Sequence, residues 1–158
     1  MDAVVDSHRI TLAVHEALEE HGHSRGELIP VLKAVGEALG YLPTLAMVEV
    51  ARAMQIAPGQ VFSVATFYTL IPTEPRGRHV IQFCESAPCH VQGGRLVWET
   101  LRAELGISPG ETTPDGRWTL LTTSCIGQCD RGPVMMVDDD LHGDLTPDGV
   151  GEILERYE

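Results

Sequence analysis

Cysteine placement constrains this chain most: Cys84, Cys89, Cys125 and Cys129 are its only four, spaced as Cys-x4-Cys, a gap of 35 residues, then Cys-x3-Cys. If the two pairs act together, the fold must bring two short loops to one place. Such an arrangement suits a site that needs four thiolates, as an iron-sulfur cluster does. A 2Fe-2S centre takes two thiolates per iron, and two loops giving a pair each supply that set without strain. On this reading the chain is an electron carrier.

The meaning of paired cysteines depends on the redox compartment. No apolar run approaches the roughly 20 residues of a membrane span, so no direct membrane insertion is expected. The N-terminus, MDAVVDSHRI, has neither a basic region nor a following apolar stretch of the secretory kind. A cytoplasmic location is expected, alone or on the cytoplasmic side of a membrane-bound complex. Structural disulfides are rare there, which directs the cysteines toward metal or redox chemistry. A net charge of −12, with only 11 Lys and Arg and none in a run, argues against nucleic acid as a partner. Partners are expected to be proteins.

The 158 residues suffice for one core or two small ones, and 43% hydrophobic with 22% charged residues is the balance of a folded globular chain. From Asp6 to Leu70 the periodicity is helical. Leu12, Ala13, His15 and Glu16 are read as the inward positions of a first helix. Leu28, Val31, Leu32, Val35 and Leu39 repeat at three and four in a second, closed by Gly40 and Pro43. Thr44 reads as the N-cap of a third helix bearing Met47, Val50, Ala51 and Met54, and Pro58 opens a fourth through Phe67. The run Ile71-Pro72-Thr73-Glu74-Pro75-Arg76-Gly77 has no periodicity and marks a linker.

Beyond it the pattern changes to strands at 79–83, 118–122 and 134–137, with helices over 93–105 and 148–157. Asp138-Asp139-Asp140 and His142-Gly143 read as a turn into a short extension. The expected fold class is α+β: an N-terminal helical bundle over 1–72, followed over 73–158 by a thioredoxin-like α/β domain.

Cys84 follows the first strand and Cys89 precedes the helix expected from Gly93-Gly94. The first pair is therefore expected to face a helix N-terminus, whose amides and dipole favour an anionic cluster. Gly127, between Cys125 and Cys129, lets the second loop turn tightly. Amide hydrogen bonds to sulfur raise a cluster's reduction potential. Glu85, Asp130 and the Asp138 to Asp140 run oppose that. One charge at about 10 Å, with an effective dielectric of about 20, is worth roughly 1.7 kcal/mol, or about 70 mV for one electron. The acidic groups together imply a low-potential centre. Structural zinc is the competing use of four cysteines in two short loops, giving an adaptor without redox activity. Thiol-disulfide catalysis is disfavoured because no Cys-x-x-Cys occurs.

The neighbouring residues add a resemblance. The run Cys84-Glu85-Ser86-Ala87-Pro88-Cys89-His90, Gly93-Gly94, the stretch Gly110-Glu111-Thr112-Thr113-Pro114-Asp115-Gly116, and Ser124-Cys125-Ile126-Gly127-Gln128-Cys129-Asp130 before Pro133 resemble the thioredoxin-like 2Fe-2S ferredoxin subunit of NADH dehydrogenases. Relatives of that subunit occur in NAD-linked hydrogenases and formate dehydrogenases. Upstream, Gly40-Tyr41-Leu42-Pro43 and Val64-Ala65-Thr66-Phe67-Tyr68 are similar to the family's helical half.

The resemblance implies one 2Fe-2S cluster on Cys84, Cys89, Cys125 and Cys129. It places FMN and NAD(H) on a larger flavin- and NADH-binding partner subunit, with further iron-sulfur subunits in the complex. The chain itself has no Gly-x-Gly-x-x-Gly and no Gly-x-x-x-x-Gly-Lys. Arg131-Gly132 before Pro133 departs from the commonest pattern of the family, where a small apolar residue precedes the proline.

Other residues read more plainly. His90 beside Cys89 is taken as a surface or supporting residue, since four thiols already complete a ligand set. His21-Gly22-His23 reads as a solvated turn and Asp138-Asp139-Asp140 as a polar turn without calcium-loop spacing. Phe62, Phe67, Tyr68 and Leu70 are expected to be core, with a docking patch as the alternative. Trp98 is expected to be partly buried packing.

Overall fold

The computed structural model describes residues 6–157. Contacts divide the chain into two compact units, Met1–Pro75 and Arg76–Glu158, the division falling within the proline- and glycine-bearing stretch.

The first unit is helical. Helix α1 (Ser7–His21) begins where the Asp6 side chain accepts from the His8 amide at 3.3 Å, satisfying one of the free donors of a helix start. Its buried stripe is Ile10, Ala13, Val14, Ala17 and Leu18. Of the positions expected to face inward only Ala13 does; Leu12, His15 and Glu16 lie off that stripe and are exposed. Helix α2 (Leu28–Leu39) buries Leu28, Val31, Leu32 and Val35 and ends at Gly40, whose φ of 87° is the left-handed cap that glycine adopts without strain.

Helix α3 (Thr44–Ala53) starts one residue earlier than a Thr44 cap would place it. Pro43 holds the cap position and its carbonyl accepts from the Ala46 and Met47 amides, so Thr44 is the first helical residue. Helix α4 (Pro58–Phe67) turns Val61 and Ala65 inward. These side chains form one core with Met47, Val50, Ala51, Met54 and Ile71.

The expectation that Phe62, Phe67, Tyr68 and Leu70 are core is corrected. Phe67 and Leu70 are 77% and 76% exposed, and Phe62 and Tyr68 are also exposed. The reason is geometric: the inward stripe of α4 runs through Val61 and Ala65, four residues apart, and Phe62 and Phe67 fall on other faces of the same helix.

The second unit is built on a four-stranded sheet in the order β2-β1-β3-β4. Strands β1 (His79–Cys84) and β2 (Trp118–Thr123) are parallel, while β3 (Met135–Val137) is antiparallel to β1. The extension expected after Asp138 is instead a fourth strand, β4 (Asp140–His142), antiparallel to β3. Three residues are too few to show alternation, so the sequence carries no strand signal there.

Between the cysteine-bearing ends of the sheet lies the short helix α5 (Ala87–Cys89), then α6 (Arg95–Leu105), the crossover that a parallel pair requires. The C-terminal helix α7 (Gly149–Glu155) packs beside α6. Ile81, Phe83, Val97, Leu101, Leu120, Met135, Val137 and Val150 make the core, with Trp98 half-buried against Phe83 at a ring distance of 5.2 Å. This is the expected thioredoxin-like arrangement of sheet and helices.

Candidate metal centre

Parallel pairing decides where the thiols go. Cys84 ends β1 in register with Thr123 at the end of β2, so the loops leaving the two strands emerge at the same edge of the sheet. The first loop carries Cys84 and Cys89, both 1% exposed and packed with Val134. The second carries Cys125, which is exposed, and Cys129, which is half-buried. All four thiols are free.

Within the second pair Cys125 Sγ and Cys129 Sγ are 3.3 Å apart, and the Gly127 amide donates to Cys125 Sγ at 3.4 Å. Gly127 has φ 91°, the left-handed turn that aims its N–H back at the sulfur. In the first pair Cys84 interacts side chain to side chain with Cys89, and its sulfur accepts from the Ser86 and Ile126 amides. Cys89 accepts from the Val134 amide. Ile126 belongs to the second loop, so its amide links the two loops at sulfur.

These contacts sort the thiols by acidity. Burial pushes Cys84 up, but the Ser86 amide, Cys89, the Ile126 amide and the Ser86 hydroxyl outweigh it, leaving Cys84 below the ordinary thiol value. Cys89 is pushed up by burial and by its bond to Cys84, with the negative charge of Cys84 and Cys125 adding to this. Cys129 is pushed up chiefly by Cys125, then by burial and by repulsion from Cys125, Cys89 and Cys84. Mutual repulsion among four thiolates is relieved by a cation, and the thiolate is the form that binds one.

The donor set fits a binuclear iron-sulfur centre. Two thiolates on one tetrahedral metal sit about 3.8 Å apart when each sulfur is ~2.3 Å away, and the Cys125–Cys129 separation of 3.3 Å lies within about half an ångström of that. Two separate pairs match a site in which each iron takes two thiolates.

Two expectations about the surroundings change. The amides reaching sulfur come from Ser86, Ile126, Gly127 and Val134 in the loops, whereas α6 starts only at Arg95, beyond a kink at Gln92 and Gly93. The Asp138 to Asp140 run lies at the other end of the sheet. The Asp138 carboxylate contacts His79 at 2.7 Å and accepts from the Val80 amide, at the start of β1. Five residues of ~3.3 Å rise separate His79 from Cys84, about 17 Å and twice the ~8 Å physiological screening length. That run contributes little to the cluster's potential; Glu85 and Asp130 remain beside the candidate ligands.

His90 is exposed, as expected of a residue outside the ligand set. Sequence reasoning singles out neither Ser86 nor Gln92. Ser86 is visible only as part of the resembling run, and nothing in the spacing marks Gln92, whose amide bonds the Cys129 carbonyl.

A thioredoxin-like sheet with two thiol pairs at one edge defines a ferredoxin of that architecture, and the sequence agrees: the thioredoxin-like 2Fe-2S ferredoxin family matches residues 14–158. The chain belongs to this family, and its cofactor is a 2Fe-2S cluster. It is 42% identical over 156 residues to a component of NADH-quinone oxidoreductase, the one designated E, in Salmonella typhimurium and in Escherichia coli K12, covering 96% of this chain and 94% of each relative. Among solved structures it resembles an NAD+-reducing NiFe-hydrogenase, at 25% identity and a TM-score of 0.69. That match covers 83% of this chain and 22% of the longer hydrogenase chain.

Proposed function

We propose that the chain is the one-electron carrier of an NAD(H)-linked oxidoreductase complex. Cys84 and Cys89 hold one iron of the cluster and Cys125 and Cys129 the other. The observation that carries this reading is the delivery of two thiol pairs to one sheet edge by parallel strands, in a chain 42% identical over nearly its whole length to components of NADH-quinone oxidoreductases. When bound, the cluster supplies reversible one-electron chemistry, accepting electrons singly from a two-electron donor such as a flavin.

The chain's own residues set the conditions for that exchange. Burial of Cys84 and Cys89 excludes water from one side of the site, and the Ser86, Ile126, Gly127 and Val134 amides neutralise thiolate charge. Exposed Cys125 leaves the other side open to a partner. We assign the flavin and the NADH site to a larger partner subunit, with further iron-sulfur subunits beyond it. The helical unit and the ferredoxin unit are taken as separate domains. No helix among the described residues is long and apolar enough to cross a membrane, and we place the complex's electron-transfer arm in the cytoplasm.

Anaerobic purification with co-purifying proteins tests the reading. A coloured chain with two irons, a reduced-state EPR signal and a flavoprotein companion is the expected result. A colourless chain with stoichiometric zinc would establish an adaptor instead.

A further inference from the structure

Taking the ligation above as given, we propose that Gln92 is a positioning residue for the metal centre: its side-chain amide clamps the two cysteine loops to one another. Gln92 Nε2 donates to the Pro88 carbonyl at 3.1 Å and to the Cys129 carbonyl at 3.0 Å. The first acceptor lies in the loop of Cys84 and Cys89; the second belongs to a cysteine of the other pair. An amide group has two N–H donors; this one spends one on its own segment, four residues back, and the other across the gap to the second loop. Gln92 stands at the kink before α6, with φ −87° and ψ 16°, so a turn rather than a helix face presents its side chain.

Gly132 supplies an independent sign of the same contact. Its φ of −65° and ψ of 153° suit any residue, so backbone conformation does not call for glycine there. Space does. A Cβ at Gly132 would lie 2.8 Å from Gln92 Nε2 and 3.2 Å from its Cδ. The amide is the far end of a flexible side chain, so alanine at this position would displace the amide and leave the loop folded. Gly94 acts on the backbone in the same way: a Cβ there would lie 2.6 Å from the Cys89 carbonyl oxygen. Gly132 permits the close approach of the second loop to Gln92, whose side chain reaches from the first loop to the second.

The test uses the full chain purified anaerobically with its cluster, as Gln92→Ala, Gly132→Ala and the double variant. Each single variant is expected to start with wild-type iron content and to lose it to excess chelator about 3- to 10-fold faster, as loss of one or two neutral hydrogen bonds predicts. The reduced-state EPR lines are expected to broaden, a change that a general loss of stability would not produce. The double variant should match Gln92→Ala alone, because the new methyl then has no amide to displace. Wild-type kinetics and lineshape in both single variants, or fully additive effects in the double, would overturn the clamp and leave the cysteine assignment standing. A wild-type chain that takes up no iron would overturn the ligation itself, and the clamp with it.

Discussion

Cys84 and Thr123 are partners in register at the ends of two parallel strands, and the loops of both thiol pairs begin at or just beyond them. The sheet therefore does for the cluster what sequence adjacency does in a compact metal motif: it brings thiol pairs separated by 35 residues to one edge.

Replacing Cys125 with Ser is expected to abolish or strongly destabilise the cluster, since a hydroxyl is a poor thiolate substitute. The helical unit carries none of the four thiols and should stay folded. Iron analysis, visible absorption and far-UV circular dichroism on one sample check both halves; unchanged iron with an unchanged spectrum would remove Cys125 from the ligand set.

Leu32 is fully buried in the helical core. Leu32→Ala should destabilise that unit by about 2–5 kcal/mol, the range for a large-to-small change that leaves a cavity. A lowered urea midpoint, followed by circular dichroism, measures it.

The ferredoxin unit should lose stability at both ends of the pH scale through one network. His142 Nε2 lies 2.7 Å from the Tyr157 hydroxyl, which donates to Asp140 at 2.9 Å. Burial holds His142 below its ordinary value of 6.5, Asp140 partly opposing and Arg156 adding. Below 6.5 the unfolded chain binds a proton that the folded chain resists, so stability falls as pH drops through that value. Tyr157 is pushed up to about 12 from 10.0, by burial first and then by Asp140. Between these values the unfolded chain ionises first, so stability falls as pH rises from 10.0 to about 12. Tyr157→Phe should flatten the alkaline limb in thermal melts across pH; a limb unchanged by the substitution would count against this account.

Distance from the cluster should rank the acidic side chains. Glu85 adjoins Cys84, and Glu85→Gln is expected to raise the reduction potential by on the order of 30 mV, allowing for solvent screening. Asp139, in the remote turn, should change it by about 5 mV or less when replaced by Asn, given ~17 Å and an ~8 Å screening length. EPR-monitored redox titration separates the two. Equal shifts would mean that the field at the cluster is not set by nearby charge.

Local signals in the sequence are enough for the helical half and for the candidate thiol set. The three-and-four spacing of Leu28, Val31, Leu32 and Val35 specifies a buried face whatever it packs on, because side chains at those intervals share one side of a helix. Four thiols in two short loops likewise point to a metal-type donor set before any fold is known. Exposure of Phe67 and Leu70 is not legible, since hydrophobicity says that a side chain prefers burial and only neighbouring elements decide whether it obtains it. Strand β4, the remoteness of Asp138 and the bridge made by Gln92 are equally out of reach. Each depends on register or on contacts between loops far apart in the chain, and such distances exist only once the strands of the sheet are paired.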